Sequence, residues 1–309
     1  MSTYTTDRRD DPDTSKPSET PKRPVKVKRK GRGARAGLLA VALTYVTVLL
    51  LAPMGALLYY VIDAGWQGVT DAFSDPDLQH ALWITLQIVV ISVVVNTIFG
   101  VIAALVLARD NFPGKSFVSA LVNLPLAVSP VVVGLMAVLL FGRGGWFEPF
   151  FADRDIQVIF ALPSMVLVTI FISIPFVIRE VVPVLEELGT EEEQAAWTLG
   201  ASQVRTFFRV TLPNIRWGLL YGIALSSARA IGEVGAVLVV SGLLQGTTET
   251  ATLYILRVFD QFQDEQGYIV AATLAAFSII MLVGIEASKR LADHRRARKG
   301  TASWQETSK

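Results

Sequence analysis

The run "ALWITLQIVVISVVVNTIFGVIAALVLA", residues 81–108, contains no charged side chain. An α-helix rises about 1.5 Å per residue, so about 20 apolar residues cross the roughly 30 Å hydrocarbon core of a bilayer. This run is long enough to do so and predicts a transmembrane helix. The whole chain has the same character, since 52% of its 309 residues are hydrophobic, only 18% are charged and the mean hydropathy is +0.47. These values exclude an ordinary soluble domain and predict an integral membrane protein.

Five further apolar runs are long enough to cross a membrane. The first one is longer than the apolar part of a signal peptide and lacks a clear small-residue cleavage site, so we expect it to remain as an anchor. The predicted fold is an all-α integral membrane protein with six transmembrane helices. These lie near residues 38–62, 81–108, 117–141, 157–178, 217–242 and 268–288.

The distribution of charge predicts the orientation of the chain. Basic side chains crowd residues 22–35 and 289–299, and the short link after the second run carries Arg109 and Lys115, whereas the link 63–80 is acidic. Basic links face the cytoplasm in membrane proteins, so both termini are predicted to be cytoplasmic, in a multi-pass protein of the cell membrane. We favour contact of the basic residues with anionic lipid over a nucleic-acid patch, and expect no nucleic-acid partner.

Composition also predicts the division of the chain. Residues 1–36 are rich in polar and charged side chains and predict a disordered basic cytoplasmic tail. Residues 37–292 form the predicted six-helix domain, and residues 293–309 a cytoplasmic C-terminal tail. The sequence has no cysteine and only two distant histidines, so we expect no disulfide, no cysteine nucleophile and no thiolate or histidine metal site.

The link "EEEQAAWTLGASQVRTFFRVTLPNIRWG", residues 191–218, is too organised for a simple loop. Its acidic start favours a helix N-terminus, with Thr190 as the cap. Gly200 then permits a sharp turn or a close backbone approach, and the next helix is expected to restart at Leu212 and Pro213. This pattern predicts a short helix across the cytoplasmic face that transmits motion. Its aromatic residues also suit an amphipathic helix lying in the membrane interface.

The spacing within this link resembles the EAA motif of ATP-binding-cassette importer permeases. That motif has an acidic residue, two alanines, three residues, a glycine, nine residues, an aliphatic residue, one residue and Leu-Pro. Here Gln194 stands where the family has glutamate, with Glu193 adjacent, and Val210 takes the aliphatic place. The resemblance implies an ATPase-coupling role for Glu192, Glu193, Gln194, Ala195, Ala196, Gly200, Leu212 and Pro213.

Residues 38–292 as a whole resemble sulfate/thiosulfate importer permeases. The similarity is carried by "LPNIRWGLLYG" (212–222), "ARAIGEVGAVLVVSG" (228–242) and "TATLYI" (250–255), and it is strongest with the W-type subunit. Molybdate and tungstate permeases are similar in this region. The resemblance implies a permease subunit of an ATP-driven importer that moves sulfate or thiosulfate into the cytoplasm by alternating access. The partners it implies are a T-type permease, two ATPase subunits, an extracytoplasmic sulfate-binding protein and membrane lipids.

The chain itself is expected to bind no cofactor and to be no enzyme. The segment "PGKS", residues 113–116, matches the end of a phosphate-binding loop, but the pattern needs a glycine at the position of Arg109. The resemblance therefore implies that a separate chain uses ATP and Mg²⁺. An ion-driven secondary transporter or channel, or a membrane-anchored scaffold, are the alternatives, but the first predicts internal repeats and carboxylates in several apolar runs.

Two charges stand within the fifth apolar run, at Arg229 and Glu233. Each costs roughly 2.5 to 3.5 kcal/mol at the centre of a bilayer, and residues four apart on a helix can pair. The pair is either structural, locked by nearby glycines, or part of a pathway or gate; we favour structure or gating over anion binding. Pro125 and Pro130 break the third run and are predicted to shape the same pathway.

Overall fold

The computed structural model describes residues 32–152, 154 and 156–306, with side chains between residues 36 and 290 apart from 152, 153 and 155. The chain divides into two units, residues 1–51 and 52–309. In the first unit, the described residues 32–51 are helical, so the last residues of the predicted tail belong to a helix. The rest of that tail lies outside the described residues.

Every regular element in the described part of the chain is a helix. A π-helical turn, Phe207–Thr211, joins α8 to α9. The helices are α1 (Arg32–Ser74), α2 (Pro76–Arg109), α3 (Lys115–Ala127), α4 (Pro130–Phe141), α5 (Glu148–Ala152), α6 (Leu162–Leu188), α7 (Glu191–Thr198), α8 (Gln203–Thr206), α9 (Leu212–Ile231), α10 (Gly235–Ser241), α11 (Ala251–Asp260) and α12 (Asp264–Glu306).

Among the described residues, four helices are long and apolar enough to cross a membrane, namely α1, α2, α6 and α12. Two bent pairs raise the number to six if each pair counts as one span: α3 with α4, and the helix from Gln203 to Ile231 with α10. The all-helical membrane class predicted from the sequence is therefore confirmed, with four to six spans.

Helices α2 and α6 pack closely along their lengths. A Cβ atom at Gly100 of α2 would lie 2.8 Å from the side chain of Val177 in α6, so the missing side chain sets the approach of the two helices. Midway along α2, the buried Asn96 amide donates a hydrogen bond to the Ser173 hydroxyl, 2.9 Å away. Small residues and polar side chains are the usual means by which helices associate in lipid.

The third predicted span bends by 107° between α3 and α4. Ser129 is extended at the bend, as expected before Pro130, because the proline ring disfavours helical geometry in the preceding residue. Pro125, in contrast, lies buried inside α3 without ending it. Of the two breaks predicted here, only the one at Pro130 interrupts the helix.

The fifth predicted span bends by 53° between Ile231 and Gly235. The α-helix α9 begins at Leu212, as expected, but it follows without a break from α8 and the π-helical turn, since the chain is already helical from Gln203. Pro213 lacks the N–H that would bond four residues back. The π-helical turn just before it instead lets the Leu212 N–H reach the Phe207 carbonyl, five residues back, and the helix continues.

The second halves of the two bent spans cross in direct contact. A Cβ atom at Gly134 of α4 would lie 2.8 Å from the Ala236 carbonyl oxygen of α10. Likewise, a Cβ atom at Gly235 would lie 3.0 Å from the Cβ atom of Pro130. Two bends far apart in sequence are thus adjacent in space.

Helix α6 continues ten residues beyond its predicted end at residue 178. The extension buries Val181 and Leu185 in a cluster with Val101 of α2 and Ile215 of α9. This cluster packs the ends of α2, α6 and α9 together next to α7, where the candidate coupling residues lie.

Candidate coupling and pathway sites

Helix α7 is a separate short helix, as the sequence predicted. Thr190 occupies its N-cap position, but the Thr190 hydroxyl accepts a hydrogen bond from the Gln194 side-chain amide, 3.0 Å away, rather than capping the backbone. At the other end, the Gly200 N–H bonds the Trp197 carbonyl at 2.9 Å, and the Ala201 N–H bonds the Ala196 carbonyl at 3.0 Å. This pair of bonds is the Schellman motif that closes many helices.

Gly200 has a φ of +83°, which an L-residue with a side chain rarely adopts. A Cβ atom added there would meet open space among the described residues. Of the two roles foreseen for Gly200, the turn is therefore formed, whereas no close backbone approach from the described residues requires the glycine.

Glu193 is the buried acidic residue of α7. Its Oε1 atom accepts a hydrogen bond from the Thr211 hydroxyl, 2.7 Å away, and lies 3.2 Å from Nη2 of Arg109. The Arg109 Nη1 atom also donates to the Leu185 carbonyl oxygen at 2.9 Å. One carboxylate thus connects α7 to the last residue of α2 and to the residue that precedes α9.

The neighbouring residues of the motif are arranged differently. Glu192 is exposed and accepts a hydrogen bond from the Asn214 amide near the start of α9. Gln194 is also exposed, so the buried acid of this motif is Glu193, one position earlier than the family spacing places it. Leu212 is half-buried against the core cluster of α2, α6 and α9, and Pro213 is exposed.

Several small or apolar side chains of α7 and of the segment after it are exposed. Leu199 at the turn is 89% exposed, although it is a large apolar side chain in a polar link. Contiguous apolar residues on an exposed surface mark contact sites. The exposed small or apolar residues of this segment, here called the α7 surface, are Ala195, Trp197, Leu199, Val204 and Phe208.

Arg229 and Glu233 form the ion pair predicted from their spacing, with Nη1 of Arg229 lying 2.7 Å from Oε2 of Glu233. The Glu233 side chain is only 1% exposed, whereas that of Arg229 is 32% exposed. The Glu233 Oε1 atom accepts a hydrogen bond from the Ala236 N–H at 2.9 Å. Because α9 ends at Ile231, the carboxylate bridges the bend and satisfies a backbone donor in the first turn of α10.

The two other predicted pathway residues, Pro130 and Pro125, lie on opposite sides of the bend in the third span. Pro130 lies against Gly235, two residues beyond Glu233, so the bend of the third span and the ion pair are neighbours. Pro125 belongs to α3, on the other side of the 107° bend. Of the two glycines beside the pair, Gly235 is packed closely and Gly232 is not, since its nearest neighbour would be the Ala228 carbonyl oxygen at 3.5 Å.

The coupling and pathway residues lie at opposite ends of α9. This helix has 20 residues, which corresponds to a length of about 30 Å. Thr211 precedes it, and Arg229 and Glu233 lie at its far end. Among the described residues, no cluster of three or more histidine, aspartate or glutamate side chains is placed to hold a metal ion.

A third polar cluster lies at the α11 end of the molecule, and the sequence did not reveal it. Arg257 of α11 bonds the buried Glu249 through Nε at 2.7 Å and Nη2 at 3.1 Å, and its Nη2 atom lies 3.5 Å from Asp77 at the start of α2. The hydrogen bond from Arg257 to Glu249 raises the pKa of Arg257. Arg257 and Asp77 are separated by most of the chain, so no spacing pattern in the sequence predicts their contact.

Tyr254 joins the same cluster through its hydroxyl, which donates to Asp75 at 2.6 Å. Burial, followed by this hydrogen bond, raises the pKa of Tyr254, so the phenol stays neutral at physiological pH. The cluster ties α11 and the segment before it to the N-terminus of α2.

Comparison with known proteins shows the family to which this chain belongs. Residues 97–296 match the family described as "Binding-protein-dependent transport system inner membrane component". The chain belongs to this family of membrane transport components.

Sulfate permeases are among the relatives of this chain. The "Sulfate transport system permease protein CysW" of Synechocystis sp. is 47% identical, over 84% of this chain and 94% of its own length. CysW of Escherichia coli is 43% identical, over 79% of this chain and 84% of its own. CysT of Salmonella typhimurium is 36% identical, over 80% of this chain and 89% of its own length. The resemblance to W-type permeases noted in the sequence is confirmed.

Solved structures support the fold. A bacterial ABC transporter involved in the import of the acidic polysaccharide alginate has a chain that matches with a TM-score of 0.66, covering 84% of this chain and 95% of its own. Its sequence identity is 16%, so the likeness concerns the fold alone. The alginate transporter in complex with a pentasaccharide-bound periplasmic protein matches with a TM-score of 0.67 at 17% identity and the same coverage.

Proposed function

We propose that this chain is a permease subunit of an ATP-driven importer that moves sulfate or thiosulfate into the cytoplasm. The observation that carries the proposal is the α7 surface. It exposes Trp197 and Leu199 at the end of a short helix that is held to the membrane helices through Glu193. A helix bound in this way can pass the motion of a docked protein to α2 and α9. The sulfate permeases among the relatives support the oxyanion as substrate.

The proposed assembly contains a T-type permease, two ATPase subunits and an extracytoplasmic sulfate-binding protein. ATP and Mg²⁺ are used by the ATPase subunits, which dock on the α7 surface. The proposed topology has six spans, with each bent pair counted once, and keeps both termini and α7 in the cytoplasm; the basic link that carries Arg109 and Lys115 supports it. The α11 cluster is then extracytoplasmic, on the side of the binding protein.

Transport in this proposal is conformational and needs no covalent chemistry from the chain. Nucleotide binding draws the ATPases together and shifts α7, and the membrane helices exchange an inward-facing for an outward-facing arrangement. The bends beside Pro130 and Gly235 shape the pathway between this permease and its partner, and the Arg229–Glu233 pair holds that bend or gates it. Releasable binding of the anion follows if Glu233 offsets the positive charge of Arg229.

The test of the substrate is uptake by the reconstituted complex in vesicles loaded with ATP. Labelled sulfate should enter only with ATP and the binding protein. Unlabelled thiosulfate should compete, and competition by molybdate would identify a broader oxyanion importer. Uptake driven by a proton gradient without ATP would contradict the proposal.

The test of α7 is Gly200→Val. A β-branched residue at φ +83° costs about 1–2 kcal/mol of strain and should distort the turn that presents Leu199. We expect uptake to fall by more than about fivefold while membrane insertion is unchanged. Gly200→Asn is the matched control, because asparagine tolerates positive φ, and it should retain most of the uptake. Wild-type uptake by Gly200→Val would show that the turn is not required.

A further inference from the structure

Two glycine turns connect α7 to the helices on either side. Gly189, before α7, has a φ of +63°, and Gly200, after it, has a φ of +83°. A Cβ atom at either glycine would meet open space among the described residues. Glycine turns with no packing around them are permissive joints of the backbone. The side-chain contacts of α7 must therefore define its position relative to the membrane helices.

The contacts of Glu193 define the position of α7 relative to the membrane helices. The Glu193 carboxylate contacts Arg109 at the end of α2 and Thr211 before α9, positions 84 and 18 residues away. Arg109 in turn donates to the Leu185 carbonyl oxygen of α6. The Glu193 side chain therefore joins α7 directly to the ends of α2 and α9, and to α6 through Arg109.

The burial of this pair distinguishes it from an ordinary surface salt bridge. The side chains of Arg109 and Glu193 are 17% and 11% exposed, respectively. Partial burial strengthens the attraction between the charges and makes the loss of one partner costly, because the other charge stays poorly solvated. Glu192 offers no equivalent, since it is exposed and its partner Asn214 is neutral.

The helices that meet at Glu193 are also packed against one another. Val101 of α2, Val181 of α6 and Ile215 of α9 belong to one buried cluster just behind the ion pair. A displacement of α7 therefore reaches a packed group of helix ends rather than a single flexible chain.

We propose that Arg109, Glu193 and Thr211 form the joint that transmits the motion of α7 to α2, α6 and α9 during transport. All three are positioning residues, which touch neither substrate nor nucleotide. The proposal rests on the proposed function, because it assigns residues to the coupling step of an ATP-driven importer. It predicts that weakening the joint separates ATP hydrolysis from uptake without dismantling the complex.

The experiment measures sulfate taken up per ATP hydrolysed by the reconstituted complex. Glu193→Gln keeps the size of the side chain and one acceptor oxygen but removes the charge. We expect the ratio to fall about tenfold while ATP is still hydrolysed and the purified complex keeps its subunits. Glu187→Gln is the matched control, since Glu187 is an exposed carboxylate near the same end of α6, and its ratio should equal that of the wild type.

A double-mutant cycle identifies the pair itself. Arg109→Gln alone should lower the ratio, and the double variant Arg109→Gln with Glu193→Gln should be no worse than either single variant, because both remove the same interaction. Additive losses would overturn the joint, as would a wild-type ratio in Glu193→Gln. If Glu193→Gln fails to assemble, Arg109→Lys serves instead, because it keeps the charge but lacks the two terminal nitrogens with which Arg109 bonds Leu185 and Glu193 separately. Its ratio should fall less than that of Arg109→Gln, and a wild-type ratio overturns the joint.

The two proposals fail in different ways. A wild-type complex that shows no ATP-dependent uptake of sulfate, thiosulfate or molybdate overturns the proposed function, and the joint with it. A wild-type complex that couples normally, together with a Glu193→Gln complex that couples equally well, overturns the joint alone.

Discussion

Glu193 and Glu233 lie at opposite ends of α9, and each is buried and paired with an arginine, but the two are held in different ways. Glu233 contacts Arg229, four residues before it, and the Ala236 N–H, three residues after it. Glu193 contacts Arg109 and Thr211, which belong to other elements. A local pair can form as soon as its own helix turns, whereas a long-range pair forms only when separate helices pack.

This difference assigns the two carboxylates different tasks. Glu233 fixes the shape of one chain segment, the bend between α9 and α10. Glu193 fixes the relation between segments, and that relation can change during transport. Loss of Glu233 should therefore appear chiefly in stability, and loss of Glu193 chiefly in the coupling of ATP hydrolysis to uptake.

The largest effect is expected from Glu233→Ala. This change leaves Arg229 without a counter-charge in an apolar run and the Ala236 N–H without its acceptor, which should cost about 3–5 kcal/mol. The measurement is the yield and thermal unfolding midpoint of the purified complex. The control is Glu286→Ala, because Glu286 pairs with Arg290 at the same spacing but the two side chains are 44% and 74% exposed.

We expect Glu286→Ala to cost less than about 1 kcal/mol, as exposed ion pairs do. An equal effect of the two substitutions would show that burial of Glu233 does not decide its contribution. It would also remove the contrast between the two ends of α9.

An intermediate effect is expected from Gly134→Ala, which tests whether the bend held by Glu233 also depends on packing. The new methyl group would lie 2.8 Å from the Ala236 carbonyl oxygen, so α4 and α10 must separate, at a cost of about 1–3 kcal/mol. Thermal unfolding of the complex measures it. Gly232→Ala is the control at the same bend, where the nearest contact would be an ordinary 3.5 Å. If both variants unfold at the same temperature, the crossing is not tightly packed.

The smallest effect is expected from Thr211→Val. The substitution removes one hydrogen bond to Glu193 but leaves the contact with Arg109, and should cost about 0.5–1.5 kcal/mol. Thr190→Val is the matched control, because the Thr190 hydroxyl serves only an exposed contact with Gln194. A stability loss in Thr190→Val as large as that in Thr211→Val would contradict a special role for the contacts of Glu193.

Features that depend on neighbouring residues were predictable. The charge-free run 81–108 predicted α2, and the acidic start and Gly200 predicted α7 with its turn. The spacing of Arg229 and Glu233 predicted their ion pair. In each case the helical period of 3.6 residues or a local backbone requirement leaves a pattern in the sequence.

Features that depend on distant residues were not predictable. The prolines of residues 117–141 predicted breaks, but neither they nor hydropathy predicted that Pro130 alone interrupts the helix, with a bend of 107°. The start of α9 at Leu212 was predicted, but the π-helical turn that joins it to α8 without a break was not. The motif spacing pointed to Gln194, but only the fold shows that Glu193 is the residue facing Arg109.

The sequence by itself determined the membrane class, the apolar runs, the short helix α7 with its glycine turn and the local ion pair. Their causes are the length of an apolar helix, the distribution of charge and contacts within one helical turn. Only the tertiary structure decided that Gly134 meets Ala236, that Arg109 reaches Glu193 and that Arg257 joins Glu249 to Asp77. Contacts between separate helices depend on their directions and distances of approach, which close packing sets and no period in the sequence records.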